Sequence, residues 1–281
     1  MEKLQILCDG GLGNRLNSLI GGILTAKKLN LDIHVSWPLN NWCRACFTDL
    51  FDFSFKTFDN NDIHQVFEDN KNNYYAIHSN QINYPIPPQR KINPHNYNFS
   101  KSALYYCNLI PSSFSQKQVI EELNSFLIKP SILNRVNLFC SKNNINDQTK
   151  GIHLRKTDFP GSLKDSQIFS HIMQNSNDNF FICSDDKETE LSFSKLSNVS
   201  THSKNFYVSK LVEGNWNHNH KDEQGRKAFC NMDRSKHSVI DGFIDMLILS
   251  RTTPTIGENG STYFRYSLMY NKIKYKNHEL D

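Results

Sequence analysis

The sequence predicts an α/β protein made of two halves, each built on a parallel sheet. Three observations point there. The chain opens with an apolar strand, a glycine turn and an amphipathic helix. A second series of strands and helices begins at residue 151. A polar stretch with no periodicity, 141–150, lies between them.

Leu4 to Cys8 reads as a short buried strand. After the glycine turn, Leu16, Leu19, Ile20, Ile23 and Leu24 fall at i, i+3, i+4, i+7 and i+8, which is one face of a helix. Gly21 and Gly22 lie inside that helix. Each costs about 1 kcal/mol relative to alanine, so the helix is expected to pack closely on a strand or a ligand. Residues 31–37 supply the next strand. A β-α-β opening is the start of a doubly wound sheet. The following region is less regular, with Pro85, Pro87 and Pro88 favouring extended chain. A helix is expected around 115–127, and another after Pro130, a residue suited to a first helical position.

The second half repeats the pattern. Residues 151–155 and 179–185 read as strands with a helix-sized stretch between them, and 215–229 as a polar loop. Ile240, Phe243, Ile244, Leu247 and Ile248 again mark one helical face, which Pro254 ends. A short strand, 253–257, then leads to a helix start at Gly260, Ser261 and Thr262. The expected domains are 1–142 and 150–281, joined by the polar stretch.

Composition narrows the function. A chain of 281 residues suffices for two modest domains. The net charge of +4, with no basic run interleaved with aromatics, argues against a nucleic-acid partner. Seven cysteines without framework spacing favour reduced thiols and a cytoplasmic location. Cys43 and Cys46 form a lone C-x-x-C with no second pair for zinc, and read as buried thiols. His218 and His220 lack further ligands in register, so no metal site is expected. The start lacks the long apolar region of a signal peptide, and no apolar run has the length of a membrane span.

Four constellations carry chemistry. Gly10, Gly11, Gly13 and Asn14 precede a helix, with Arg15 directly after them. Such a turn suits an anion, although it is neither a Walker loop nor G-x-G-x-x-G, and a plain tight turn is the alternative. His153 to Asp158 lies at a strand end, where ligands of open α/β sheets sit. Arg155 and Lys156 there offer a planar fork and a point charge to a diphosphate. An Arg155–Asp158 ion pair is the alternative. Ser261 and Thr262 at a helix start form a phosphate cradle or an ordinary cap. Asp245 sits in a mostly apolar helix and needs a partner. It is either a solvent-facing or capped residue, or an acceptor for the ring N–H and amino groups of guanine.

In this order, the segments at 10–29, 151–158, 180–186 and 238–264 resemble one superfamily. It is the fucosyltransferases that include the rhizobial nodulation and animal core α-1,6-fucosyltransferases and the protein O-fucosyltransferases. The resemblance implies a GT-B architecture, two Rossmann-like domains facing each other across a cleft, with the N-terminal domain on the acceptor side. It implies GDP-fucose as donor, inversion at the anomeric carbon, no metal and no further cofactor, and a glycan or lipid-linked saccharide as acceptor. By match to the family, Arg155 holds the diphosphate and Lys156 stands where a second arginine is often found. His153 and Asp245 match guanine-contacting positions, and Ser261 and Thr262 match the loop on the β-phosphate. Gly11, Gly13, Asn14 and Arg15 match the N-domain turn, and Asp185 joins the donor-binding set. Where the core enzyme has a glutamate as general base, this chain has Leu163. Asp158, Asp165 and Asp9 are the acidic residues nearby in the motifs, and the choice among them is open. Two other readings remain: a transferase using another nucleotide sugar, or an inactive binding protein that has lost the base.

Overall fold

The structure is a computed structural model that describes residues 3–53, 55–61, 76–77, 103–107, 109–158, 163–216, 220–221, 227–228, 230–258 and 260–278. It divides into two compact units, Met1–Leu127 and Ile128–Asp281.

The first unit contains β1 (Lys3–Leu7), α1 (Leu12–Leu29), β2 (Asp32–Ser36), α2 (Phe47–Leu50), β3 (Phe58–Asp59), β4 (Ala76–Ile77), β5 (Ala103–Tyr105) and α3 (Gln116–Asn124). Its strands run parallel in the order β3-β2-β1-β5-β4. Leu4, Ile6 and Leu7 are fully buried, as a central parallel strand requires. The two glycines of α1 have a packing reason. A Cβ on Gly22 would stand 2.7 Å from the Ile6 side chain, and one on Gly21 would strike the Tyr105 hydroxyl. The close partner is therefore the sheet. Asn30 ends α1 in the left-handed region at φ 52°, returning its N–H to the last carbonyls. Phe47 carries a second cluster, meeting Trp37, Phe51 and Phe126 at centroid distances of 5.5, 4.8 and 5.7 Å. Cys43 is buried and Cys46 half-buried, both as thiols outside any disulfide.

The second unit contains α4 (Pro130–Lys142), β6 (Lys150–Leu154), α5 (Asp165–Gln174), β7 (Phe180–Ser184), α6 (Lys187–Phe193), β8 (Val199–Thr201), β9 (His220–Lys221), β10 (Lys227–Ala228), α7 (Lys236–Leu249), β11 (Thr253–Ile256) and α8 (Thr262–His278). The main sheet is parallel in the order β11-β6-β7-β8, and β9 and β10 form a separate antiparallel pair. Pro254, which has no N–H to give, lies on the edge strand β11. Strand parity sorts the side chains of β6. Ile152 and Leu154 join Ile168 and Ile172 of α5 in one core. Gly151 and His153 face the other way, toward α7 and α8.

The domain boundary differs from the expected one. The division falls after Leu127, and α4 belongs to the second unit. Arg135 of α4 donates to Asp241 of α7 at 2.6 Å, and Phe139 packs edge-on against Phe181 of β7. The polar stretch 141–150 is the end of α4 followed by a hydrogen-bonded turn. Gln148 N donates to Asn146 Oδ1, Asn146 N donates to Thr149 Oγ1, and Ile145 and Thr149 are buried. Its polarity serves the turn rather than a linker. The proline-rich segment 83–98, Asn259 and most of the loop 215–229, His218 included, lie outside the described residues.

Gly151 gives the cleanest test of this packing. A methyl there would strike Thr252 Oγ1 and stand 2.6 Å from Leu249 Cδ1, with no helix propensity to offset it. Gly151→Ala is expected to lose about 1–3 kcal/mol, seen as a lower urea midpoint at an unchanged m-value. An unshifted midpoint would refute the close approach of α7 to β6.

Candidate functional site

The chemistry-bearing residues of the second unit gather at the carboxyl ends of β6 and β7, where ligands of open α/β sheets sit. Immediately after β6, Arg155 grips Asp158 with two bonds, Nε to Oδ1 at 3.2 Å and Nη2 to Oδ2 at 2.7 Å. Arg234 reaches the same carboxylate, Nη2 to Oδ2 at 3.3 Å. Asp158 is almost fully buried, whereas the side chains of Arg155 and Arg234 keep 26% and 17% of their exposure. Burial alone would raise the Asp158 pKa, but Arg234 and Arg155 outweigh it and hold the carboxyl below the usual range. A carboxylate so held takes up a proton reluctantly. Asp158, expected in the catalytic set, is therefore the anchor of two guanidiniums.

The neighbouring acids have partners of their own. Asp185 Oδ1 accepts the backbone N–H of Lys156 at 2.7 Å, and Oδ2 accepts the Thr157 hydroxyl. It shapes the loop after β6. Lys156 pairs with Asp165 at 2.7 Å and donates to the Leu163 carbonyl at 3.0 Å. The expected second cation is thus turned onto α5, and Asp165, one of the three candidate bases, is its counter-ion. Leu163 packs against the core around Ile168 and Ile182, and its N–H donates to Glu258 Oε1 at 3.3 Å.

His153, buried on β6, stacks on Tyr263 and Phe264 at 4.7 and 6.3 Å. Burial, reinforced by the charges of Arg155 and Lys204, lowers its pKa to about 3, so the imidazole is neutral. Its Nδ1 is buried and has no hydrogen-bond partner among the described residues. Ser261 caps α8, its Oγ accepting from Phe264 N at 3.3 Å. The cap geometry depends on Gly260 at φ 98° and on Gly257, where a Cβ would stand 2.5 Å from the Phe264 ring. Thr262 is the first residue of α8. Helix starts of this kind leave backbone N–H groups for an anion.

Asp245 differs from its expected role. It is 1% exposed, and both oxygens have protein partners. Oδ1 meets His202 Nδ1 at 2.8 Å, and Oδ2 accepts from Lys204 Nζ at 2.5 Å. Lys204 also donates to Glu190 Oε1 and to the Ser184 carbonyl, each at 2.6 Å, and Tyr207 donates to Glu190 Oε2 at 2.6 Å. Burial and the Asp245 charge raise Glu190 to about 7 against the pull of Lys204. Burial would lower the Lys204 pKa, but the two carboxylates outweigh it and raise it. Of this network the sequence signalled only Asp245; Lys204, Glu190, His202 and Tyr207, like Arg234, carried no signal, because they meet their partners only through the fold.

In the first unit, Gly11 is the N-cap of α1, so Gly13 and Asn14 lie within the first turn. Gly10 adopts φ 83°. Arg15 is fully buried and its guanidinium is taken up by protein acceptors. It donates from Nε to Gly10 O at 2.7 Å, from Nη1 to Pro38 O at 2.6 Å and from Nη2 to Asn40 Oδ1 at 3.0 Å, over the Trp37 ring. It staples the glycine turn to the chain after β2. Asn40 Nδ2 in turn donates to Asp9 Oδ1 at 2.9 Å.

Among the described residues no group of three or more His, Cys, Asp or Glu is placed to hold a metal, and no helix is long and apolar enough to cross a membrane. No family model and no curated protein matches the chain. Solved structures do. NodZ α-1,6-fucosyltransferase soaked with GDP-fucose is 15% identical, over 96% of this chain and 93% of that one, with a TM-score of 0.57. Fucosyltransferase NodZ from Bradyrhizobium is 13% identical over 95% and 93%, with a TM-score of 0.58. A mutant Arabidopsis thaliana FUT1 in complex with GDP is 12% identical over 96% and 69%, with a TM-score of 0.51. At such identities the likeness is one of fold: the chain has the α/β fold of these fucosyltransferases.

The buried network makes a pH prediction. A glutamate titrates ordinarily at 4.5, and Glu190 in the folded chain at about 7, so between these the folded chain holds the extra proton. Its contribution to stability is complete below 4.5 and is lost as pH rises through about 7. Glu190→Gln, which cannot ionise, is expected to flatten this fall in urea denaturation at pH 5 and pH 8. Parallel falls in wild type and variant would refute the shift.

Proposed function

We propose that this chain is an inverting glycosyltransferase that moves fucose from GDP-fucose to a saccharide acceptor without a metal ion. The observation that carries the reading is Arg155, its guanidinium set by a buried carboxylate at the carboxyl end of β6. It stands in a chain whose fold is that of a fucosyltransferase solved with GDP-fucose.

In the proposed reaction an acceptor hydroxyl attacks C1 of fucose as the bond from C1 to the β-phosphate oxygen breaks. The electron pair leaves on that oxygen, the hydroxyl proton passes to a base, and GDP departs. Negative charge therefore grows on the β-phosphate, and preorganised cations and N–H donors lower the barrier by meeting it there. Arg155 supplies a fixed planar cation. Ser261 and Thr262 at the start of α8 supply the phosphate cradle, and neutral His153 offers a polar edge beside it for the base of the nucleotide. The acceptor is a glycan or a lipid-linked saccharide. A nucleotide-sugar-binding protein without turnover is the second reading, favoured by Leu163, which is part of the core where the core fucosyltransferase has a glutamate.

Calorimetric titration of GDP without divalent metal tests both readings at their common step. Wild type is expected to bind, and Arg155→Ala to bind about ten- to a hundredfold more weakly, the range for a lost charge-assisted hydrogen bond. With GDP-fucose as donor, turnover is expected to fall by about 10²–10³ in the same variant. No GDP binding by wild type, or equal binding by the variant, would sink the GDP-sugar reading. Binding without turnover across an acceptor array would leave the binding-protein reading.

A further inference from the structure

We infer that Arg234 is the second cation of a diphosphate clamp, taking the part that position 156 has in the resemblance, and that Asp158 positions both guanidiniums. The inference deepens the proposed function and rests on it for the nucleotide, though not for the diphosphate.

Three facts support it. First, Lys156 is engaged elsewhere: its ammonium faces Asp165 and the Leu163 carbonyl. Second, Arg155 and Arg234 converge on one carboxylate, so these three groups together carry one net positive charge. Both side chains keep some exposure while Asp158 has almost none. A buried acid that gathers two partly open guanidiniums sets a pair of forks side by side, the geometry that several oxygens of a diphosphate can share. Third, the chain on each side of Arg234 is fastened. Asp233 exchanges two backbone hydrogen bonds with Ser209, at 2.8 and 3.1 Å. Ser235 caps α7, accepting from Ser238 N at 3.2 Å. Two residues before Asp233, fully buried Asn231 receives the N–H groups of Leu211 and Val212 and donates to Val212 O. Arg234 is thus held at a defined place before any ligand arrives, which lowers the entropy cost of binding.

A diphosphate clamp discriminates by phosphate number, and a structural arginine does not. The test is calorimetric titration of GDP, GMP and inorganic pyrophosphate into wild type, Arg234→Gln and Arg234→Lys, with thermal melts as a folding control. Arg234→Gln is expected to weaken GDP and pyrophosphate about ten- to a hundredfold and GMP less than threefold. Arg234→Lys, a point charge without the fork, is expected to recover part of the loss. Equal weakening of GDP and GMP, or none at all, would overturn the clamp. Pyrophosphate binding that depends on Arg234, with no binding of GDP, would support the clamp and overturn the nucleotide reading instead. Failure of wild type to bind any of the three would overturn both.

Discussion

One buried ammonium organises the second unit. Lys204 Nζ donates to the Ser184 carbonyl at the end of β7, to Glu190 on α6 and to Asp245 on α7. Sheet, one flanking helix and the other are thereby tied at a single point. Burying such charges is expensive, and an apolar replacement of the whole cluster is often no less stable. Removing one partner alone leaves an uncompensated charge and costs about 3–5 kcal/mol. The cluster acts chiefly on position. It sets α7 against β7, and the segment entering α7 carries Arg234 to Asp158.

The carboxylates of this unit divide their work by what they face. Asp158 faces two guanidiniums and stays ionised. Asp185 faces a backbone N–H and a hydroxyl, and shapes the loop that presents Arg155. Asp245 and Glu190 share Lys204, and the excess of negative charge in a dry environment raises Glu190. Similar acids near the carboxyl ends of two neighbouring strands thus serve as anchor, loop brace and network members. The difference lies in local dielectric and neighbouring charge rather than in the residue type.

Regular elements were legible because their signals are local. The apolar positions of α1 repeat within its own eighteen residues, and Gly21 and Gly22 announced a close neighbour that proved to be Ile6 and Tyr105. Pro130 at the start of α4 was legible for the same reason. The boundary was not. A run of Asn, Asp, Gln and Lys suggests a linker, and only the turn bonds around Asn146 and Thr149 show that it closes α4 onto β6. Arg15 read as an anion ligand because it follows glycines, yet its acceptors include Pro38 and Asn40, brought near by β2.

By itself the sequence determined the alternation of strands and helices and the placing of Arg155 and Ser261 at element ends. These follow from periodicity and capping chemistry, which act over a few residues. Tertiary structure alone decided which charge meets which. Asp245 takes Lys204 from 41 positions away and His202 from 43. Lys156 turns to Asp165, and Arg234 arrives at Asp158 along a segment fastened by Asn231. The energy of a buried charge depends on everything within a few ångströms of it, and that set of neighbours exists only once the sheet has closed.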